Sequence, residues 1–185
     1  MKTEFTPLKK LVSLETPQKT ITWGDTKNFV LFAGPDIIED EGMVIETGTE
    51  IKRLTDSLGI PWILKCSFDK ANRQSSNSFR GPGMQSALKS LDKIKSKIGC
   101  ALITDVHETI QVEETAQYAE VLQIPAFLSR QTDLLVTAAK TNRVIHIKKG
   151  QFLAPWDMKA IVNKAIQAGN EKILLCERGT TFGYN

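Results

Sequence analysis

The chain has 185 residues, 41% of them hydrophobic and 24% charged, with a formal net charge of +3, an ordinary globular balance long enough for a packed core. So small a surplus of cations argues against a nucleic-acid partner, and no apolar stretch nears the roughly 20 residues of a membrane helix. Cys66, Cys100 and Cys176 are far apart and each lies in an apolar run, so they read as small hydrophobes in a reducing compartment and not as a disulfide set or a zinc site.

The first stretch, MKTEFTPLKKLVSLETPQ, has neither the continuous apolar region nor the small-residue cleavage site of a secretory signal, and the expected location is the cytoplasm. Alternating KLVSLE and KTITWG runs around Pro17 predict an N-terminal β-hairpin within residues 1–28, placed to plug a barrel floor. From residue 29 to 185 short apolar runs recur: NFVLFAG (28–34), PWILKCSF (61–68), CALITDVH (100–107), EVLQIPAF (120–127), RVIHIKKG (143–150) and EKILLCERG (171–179). They are too continuously apolar for half-exposed antiparallel strands, which predicts parallel strands covered on both faces. Amphipathic patterns over 43–58, 84–98, 109–119, 131–141 and 158–168 predict the intervening helices, with Gly59, Gly99 and Gly169 at their C-terminal ends.

Repeated βα units imply an α/β fold with a parallel sheet. No G-x-G-x-x-G or P-loop follows the first strand, which weakens the case for an open nucleotide-binding sheet. Polar groups stand at each strand end: Asp36, then Lys65 to Arg73, then Asp105 and His107, Gln123, Lys148 with Lys149, and Glu177 with Arg178. Such ends converge in a barrel. The expectation is a TIM-type (β/α)8 barrel in which about six of the eight strands are present, an incomplete barrel domain over 29–185 that needs another chain segment to close it.

Six cations, Lys65, Lys70, Arg73, Lys148, Lys149 and Arg178, are expected at one mouth, where they would repel each other unless an anion neutralised them. Arginine suits bidentate phosphate or carboxylate contacts and lysine supplies point charge, so the expected ligand carries more than one phosphate, or a phosphate and a carboxylate. Asp105 and His107 share a strand face by alternation, which suits His107 to moving a proton or binding metal while Asp105 holds a hydroxyl or a water. Glu108 is expected to begin the next helix, Gln123 and Arg130 are polar groups within reach of a ligand, and Gly81-Pro82-Gly83 reads as a simple turn into a helix.

Taken in order, SFDKANR, SFRGPG, TDVHE, QIPAFLSRQTDLL, IKKGQF and CERGTTFGYN resemble the 3-deoxy-D-manno-octulosonate 8-phosphate (KDO-8-phosphate) synthase family, with K-A-N-R separating it from the related heptulosonate synthases. The resemblance implies condensation of phosphoenolpyruvate with arabinose 5-phosphate and release of phosphate. It implies Lys65, Ser67 and Lys70 at the phosphoenolpyruvate carboxylate, Lys70 also as proton donor, and Gln123, Ala126, Lys148 and Arg178 at its phosphate. It further implies Asn72 and Arg73 at the pentose phosphate, Asp105 at the sugar and attacking water, and Arg130 lent to a neighbouring subunit of a homo-oligomer, commonly a tetramer. The sequence departs from that family at Asp36, where Cys or Asn is usual, so a divalent metal held by Asp36 is a candidate only, and at Gln74, where Ser or Thr is common. Further metal ligands of that family would fall beyond Asn185, and the six-stranded chain alone is expected to turn over little. The alternatives are a heptulosonate-type or sialic-acid-type synthase, or a non-catalytic barrel remnant that binds phosphate.

Overall fold

The computed structural model describes residues 11–24, 29–181 and 183. The hairpin pairs β1 (Val12–Glu15) with β2 (Thr20–Trp23), Val12 opposite Trp23 and Glu15 opposite Thr20. Its turn is closed by Thr16, whose hydroxyl donates to the Lys19 carbonyl at 2.6 Å and accepts from the Lys19 N–H at 3.1 Å. The other residues of the expected N-terminal segment, 1–10 and 25–28, lie outside the described residues.

The βα repeat then runs β3 (Leu31–Ala33), α1 (Glu41–Ser57), β4 (Trp62–Lys65), α2 (Met84–Ile98), β5 (Ala101–Asp105), α3 (Thr109–Tyr118), β6 (Val121–Ile124), α4 (Thr132–Lys140), β7 (Val144–Lys148), α5 (Met158–Gln167) and β8 (Ile173–Cys176). All six strands β3 to β8 are parallel and lie in chain order. A doubly wound sheet would reverse its order at a switch point; this one does not. It also curls. Phe32 on β3 meets His146 on β7 edge-on with ring centroids 5.1 Å apart, whereas four strand steps in a flat sheet would separate them by about 19 Å. The result is a half-closed TIM barrel with β3 and β8 as its two edges.

Alternation along the strands produces two cores. Outward residues, among them Trp62, Leu64, Leu102, Leu122, Ile145 and Ile147, pack on the apolar stripes of the helices, including Val44, Leu88, Leu91, Val112, Leu135 and Ile161. Inward residues Ile63, Ala101, Ile103, Val121 and Val144 pack against Val12 and Ile21 of the hairpin, so the hairpin covers the inner face near the strands' N-terminal ends. Helix boundaries follow local chemistry. Asp40 caps α1 by accepting the Met43 N–H at 2.8 Å, Gly99 ends α2 in the left-handed region at φ 72°, and Glu108 begins α3, with the Gln111 side-chain oxygen accepting the N–H groups of His107 and Glu108.

Candidate active site

Two residues beyond the inward apolar layer, the same strands turn polar. Asp105 ends β5 opposite Gln123 on β6, and Gln123 is opposite His146 on β7. The Asp105 Oδ2 accepts from the Ser67 hydroxyl at 2.6 Å and from Lys65 Nζ at 3.2 Å, and Lys65 Nζ also donates to Ser67 Oγ at 2.7 Å. Its Oδ1 accepts from the Gln123 side-chain amide. Burial alone would raise the Asp105 pKa, but Lys65, Ser67, Gln123 and Lys70 together hold it well below the usual carboxylate range. Burial pushes the Lys65 ammonium down from its ordinary value, with Asp105 opposing that shift and Lys70 adding to it.

Above this layer opens a cavity of about 330 Å³. Asp105, His107 and Lys148 come to it from strand ends, and Lys70, Asn72 and Arg73 from the β4–α2 loop. Asp36, Ala126 and Arg178 complete the sequence-predicted residues on its wall. Lys65, Ser67 and Gln123 sit beneath it as the layer that holds Asp105. Lys70 Nζ lies 2.5 Å from Asp36 Oδ1, 3.2 Å from Ser67 Oγ and 3.6 Å from Asp105 Oδ2. Arg73, Lys148 and Arg178 have no carboxylate partner among the ion pairs of the described residues. Three uncompensated cations around one cavity favour an anionic occupant.

His107 packs edge-on against Phe68 at 5.9 Å, and its Nδ1 is buried without a partner. Burial lowers its pKa, with Asp105 and Asp69 opposing, which leaves an imidazole able to accept a proton from something in the cavity. Gln151 was not singled out from its IKKGQF context, yet it lines the same cavity with a buried, unpartnered side-chain oxygen.

The loop that brings Lys70 to the cavity is framed by contacts invisible in composition. Gly81 has φ +124°, and a Cβ there would stand 2.2 Å from the Phe68 carbonyl oxygen, so the Gly-Pro-Gly stretch is a required close approach as well as a turn. The Lys70 N–H donates to the Arg80 carbonyl at 3.1 Å, and the Arg80 guanidinium grips Asp69 through Nε at 2.9 Å and Nη2 at 2.5 Å.

Lys149 departs from its expected place. It follows the inward Lys148 and therefore points outward, 2% exposed, donating to the carbonyls of Gly150, Leu153 and Gly179 and to the Thr180 hydroxyl. With Glu177 at 3.4 Å, it ties the segment after β8 to the β7–α5 loop and adds no charge to the mouth. Arg130 is exposed and outside the cavity, its carbonyl accepting from Lys164. Asp36 is committed to Lys70, and no group of three His, Cys, Asp or Glu among the described residues is arranged to hold a metal. The donor set among the described residues does not fit a resident metal.

A family model described as the DAHP synthetase I family matches residues 11–185. The chain belongs to the DAHP synthetase I family. Among relatives named 2-dehydro-3-deoxyphosphooctonate aldolase, that of Fusobacterium nucleatum is 56% identical over 89% of this chain and 59% of its own length. Those of Pseudomonas entomophila and Stutzerimonas stutzeri are 54% and 50% identical, over 86% and 91% of this chain and 57% and 62% of their own lengths. The chain thus spans about three-fifths of the length of these family members. No described helix is long and apolar enough to cross a membrane.

Proposed function

We propose that this chain carries the substrate pocket of a KDO-8-phosphate synthase, the activity also called 2-dehydro-3-deoxyphosphooctonate aldolase. The reaction joins the methylene carbon of phosphoenolpyruvate to the aldehyde carbon of D-arabinose 5-phosphate. Water enters at C2 of the former enol, and the C2–O bond to phosphorus-bearing oxygen breaks, giving KDO-8-phosphate and inorganic phosphate for lipopolysaccharide synthesis. The observation that carries this reading is the cavity where Arg73, Lys148 and Arg178 stand unpaired around Asp105. Two phosphates and a carboxylate are the charges such a wall would neutralise.

In this reading Lys148 and Arg178 hold the phosphoenolpyruvate phosphate, with the Ala126 region shaping its seat and Gln123 supporting from below. Lys65, Ser67 and Lys70 serve the carboxylate end. Lys70, flanked by Asp36 and Asp105, supplies a proton to the aldehyde oxygen as the C–C bond forms or to the leaving phosphate oxygen. Asn72 and Arg73 take the pentose phosphate, while Asp105 orients the sugar hydroxyls and the water and His107 relays its proton. No step is routed through a metal.

A cytoplasmic homo-oligomer, a tetramer with Arg130 reaching a neighbour's site, fits the same reading. Phe127, Phe152 and Trp156, 62%, 47% and 72% exposed, lie in loops at the same end as Arg130 and offer apolar surface for a second copy. The test is phosphate release from phosphoenolpyruvate by the purified product of the gene. Release only when arabinose 5-phosphate is added is expected; release with erythrose 4-phosphate instead, or with no aldose, would overturn the assignment.

A further inference from the structure

His146 does not reach the cavity, and no motif marks it. It lies in the middle of β7, 8% exposed, with its ring edge-on to Phe32. Its Nδ1 stands 3.0 Å from the side-chain oxygen of Gln123, whose amide nitrogen donates to Asp105 Oδ1. Asp105 in turn accepts from Ser67 and Lys65 through Oδ2. The chain of contacts therefore runs from a histidine inside the barrel wall to the carboxylate on the cavity floor.

Only one proton assignment satisfies it. An ionised carboxylate accepts and cannot donate, so Gln123 must turn its N–H toward Asp105 and its oxygen toward His146. His146 must then carry its proton on Nδ1. With the other tautomer, two acceptors would face each other at Gln123, or the amide would flip and set its oxygen against Asp105. We propose that His146 is a positioning residue. Its Nδ1–H locks the Gln123 amide so that Asp105 meets a donor on one oxygen and the Ser67–Lys65 pair on the other, which fixes the anion-binding floor beside Lys70. This rests on the synthase reading only for the choice of probe.

Burial, then the nearby Lys148 and Lys65 charges, hold the imidazole down to about 4, so the neutral form persists at working pH. Without the Nδ1 donor the Gln123 oxygen is left buried and unsatisfied.

Two substitutions separate hydrogen bonding from packing. Asparagine places its Nδ2 on the same branch point as the histidine Nδ1, keeping a donor while losing the ring. Phenylalanine keeps the ring against Phe32 and loses the donor. Calorimetric titration of the intact protein with phosphoenolpyruvate and with inorganic phosphate should show roughly tenfold weaker binding in His146→Phe and near-native binding in His146→Asn, even though the asparagine variant melts lower because it leaves a void. The reverse order, or equal affinities, would overturn the proposal. Nitrogen-15 shifts of the His146 ring give a readout independent of the substrate. An Nδ1–H tautomer supports the lock, and an Nε2–H tautomer refutes it. A native protein that binds neither probe would end the synthase reading, and the tautomer would then decide the His146 contact alone.

Discussion

The inner face of the sheet has two ends built from the same strands. At the lower end Ile63, Ala101, Ile103, Val121 and Val144 close on Val12 and Ile21 of the hairpin. Two residues further along β4, β5, β6 and β7 stand Lys65, Asp105, Gln123 and His146, with Lys148 beyond. A shift of two residues, about 7 Å, takes each strand from a dry core to a hydrogen-bonded ionic layer. The lower end contributes stability by burying apolar area and has no chemistry to lose. At the upper end charges are already out of water, so each is stable only while its partners stay in place.

The largest expected effect comes from cutting that layer at its centre. Asp105→Asn leaves Lys65 buried beside a neutral amide, and breaking a buried pair from one side costs about 3–5 kcal/mol. Urea unfolding should show that loss. The double variant Lys65→Met/Asp105→Leu should lose clearly less than the two single changes added together. Additive losses would mean the layer is not coupled and the contrast between the two ends is overdrawn.

Acid comes next. His146 is neutral in the folded protein down to about pH 4, while in the unfolded chain it protonates near 6.5. Between those values the unfolded state binds a proton that the folded state does not, so stability falls as pH drops through that window, by roughly 3 kcal/mol for His146 alone. His107, also depressed, pulls the same way. The depressed Asp105 contributes stability that is present above about pH 4 and lost only below it. Thermal melts from pH 7 to 4 should decline, and His146→Phe should flatten the curve. A flat native curve would show that the upper layer takes up protons without strain.

The lower end supplies the contrasting variant. Ile21 is 3% exposed in the hairpin, and Ile21→Ala should cost about 2 kcal/mol, the low end of the range because a two-stranded hairpin can shift to fill the void. Affinity for inorganic phosphate should not change. If it drops, the hairpin is positioning the upper layer as well as covering the lower one.

Much of this was legible in the sequence because apolar runs and helical stripes report burial directly. The five helices match the predicted stretches to within two residues and the six parallel strands lie inside the predicted apolar runs, while four of the six strand-end cations, Lys70, Arg73, Lys148 and Arg178, line the cavity. Alternation was legible too, but grouping Lys148 with Lys149 set it aside; adjacent strand residues face opposite sides, and Lys149 instead holds the carbonyls of Gly150, Leu153 and Gly179. His146 was hidden because a histidine flanked by isoleucines looks like part of the core, and its meaning depends on which residue of β6 lies opposite. Gly81 and Arg80 were hidden for a different reason: their roles rest on contacts between residues 13 and 11 positions apart, a backbone approach of Gly81 to Phe68 and a side-chain ion pair of Arg80 with Asp69.

That loop carries the smallest expected effect and the finest test of the contrast. The Arg80 side chain is 55% exposed where it grips Asp69, and exposed pairs add little to folding, so Arg80→Ala should leave the melting temperature within roughly 2 °C of native. Its consequence belongs to binding. The Arg80 carbonyl receives the Lys70 N–H, and loosening its side chain from Asp69 frees the backbone that aims Lys70 at the cavity. Part of the ordering then has to occur on binding, which should weaken phosphate affinity by a small factor, about threefold. A variant that melts and binds as the native protein does would show that Gly81 and the Lys70–Arg80 backbone bond hold the loop without help. A variant that keeps its melting temperature and loses affinity would place preorganisation of the upper end on the loop surface as well as in the strands.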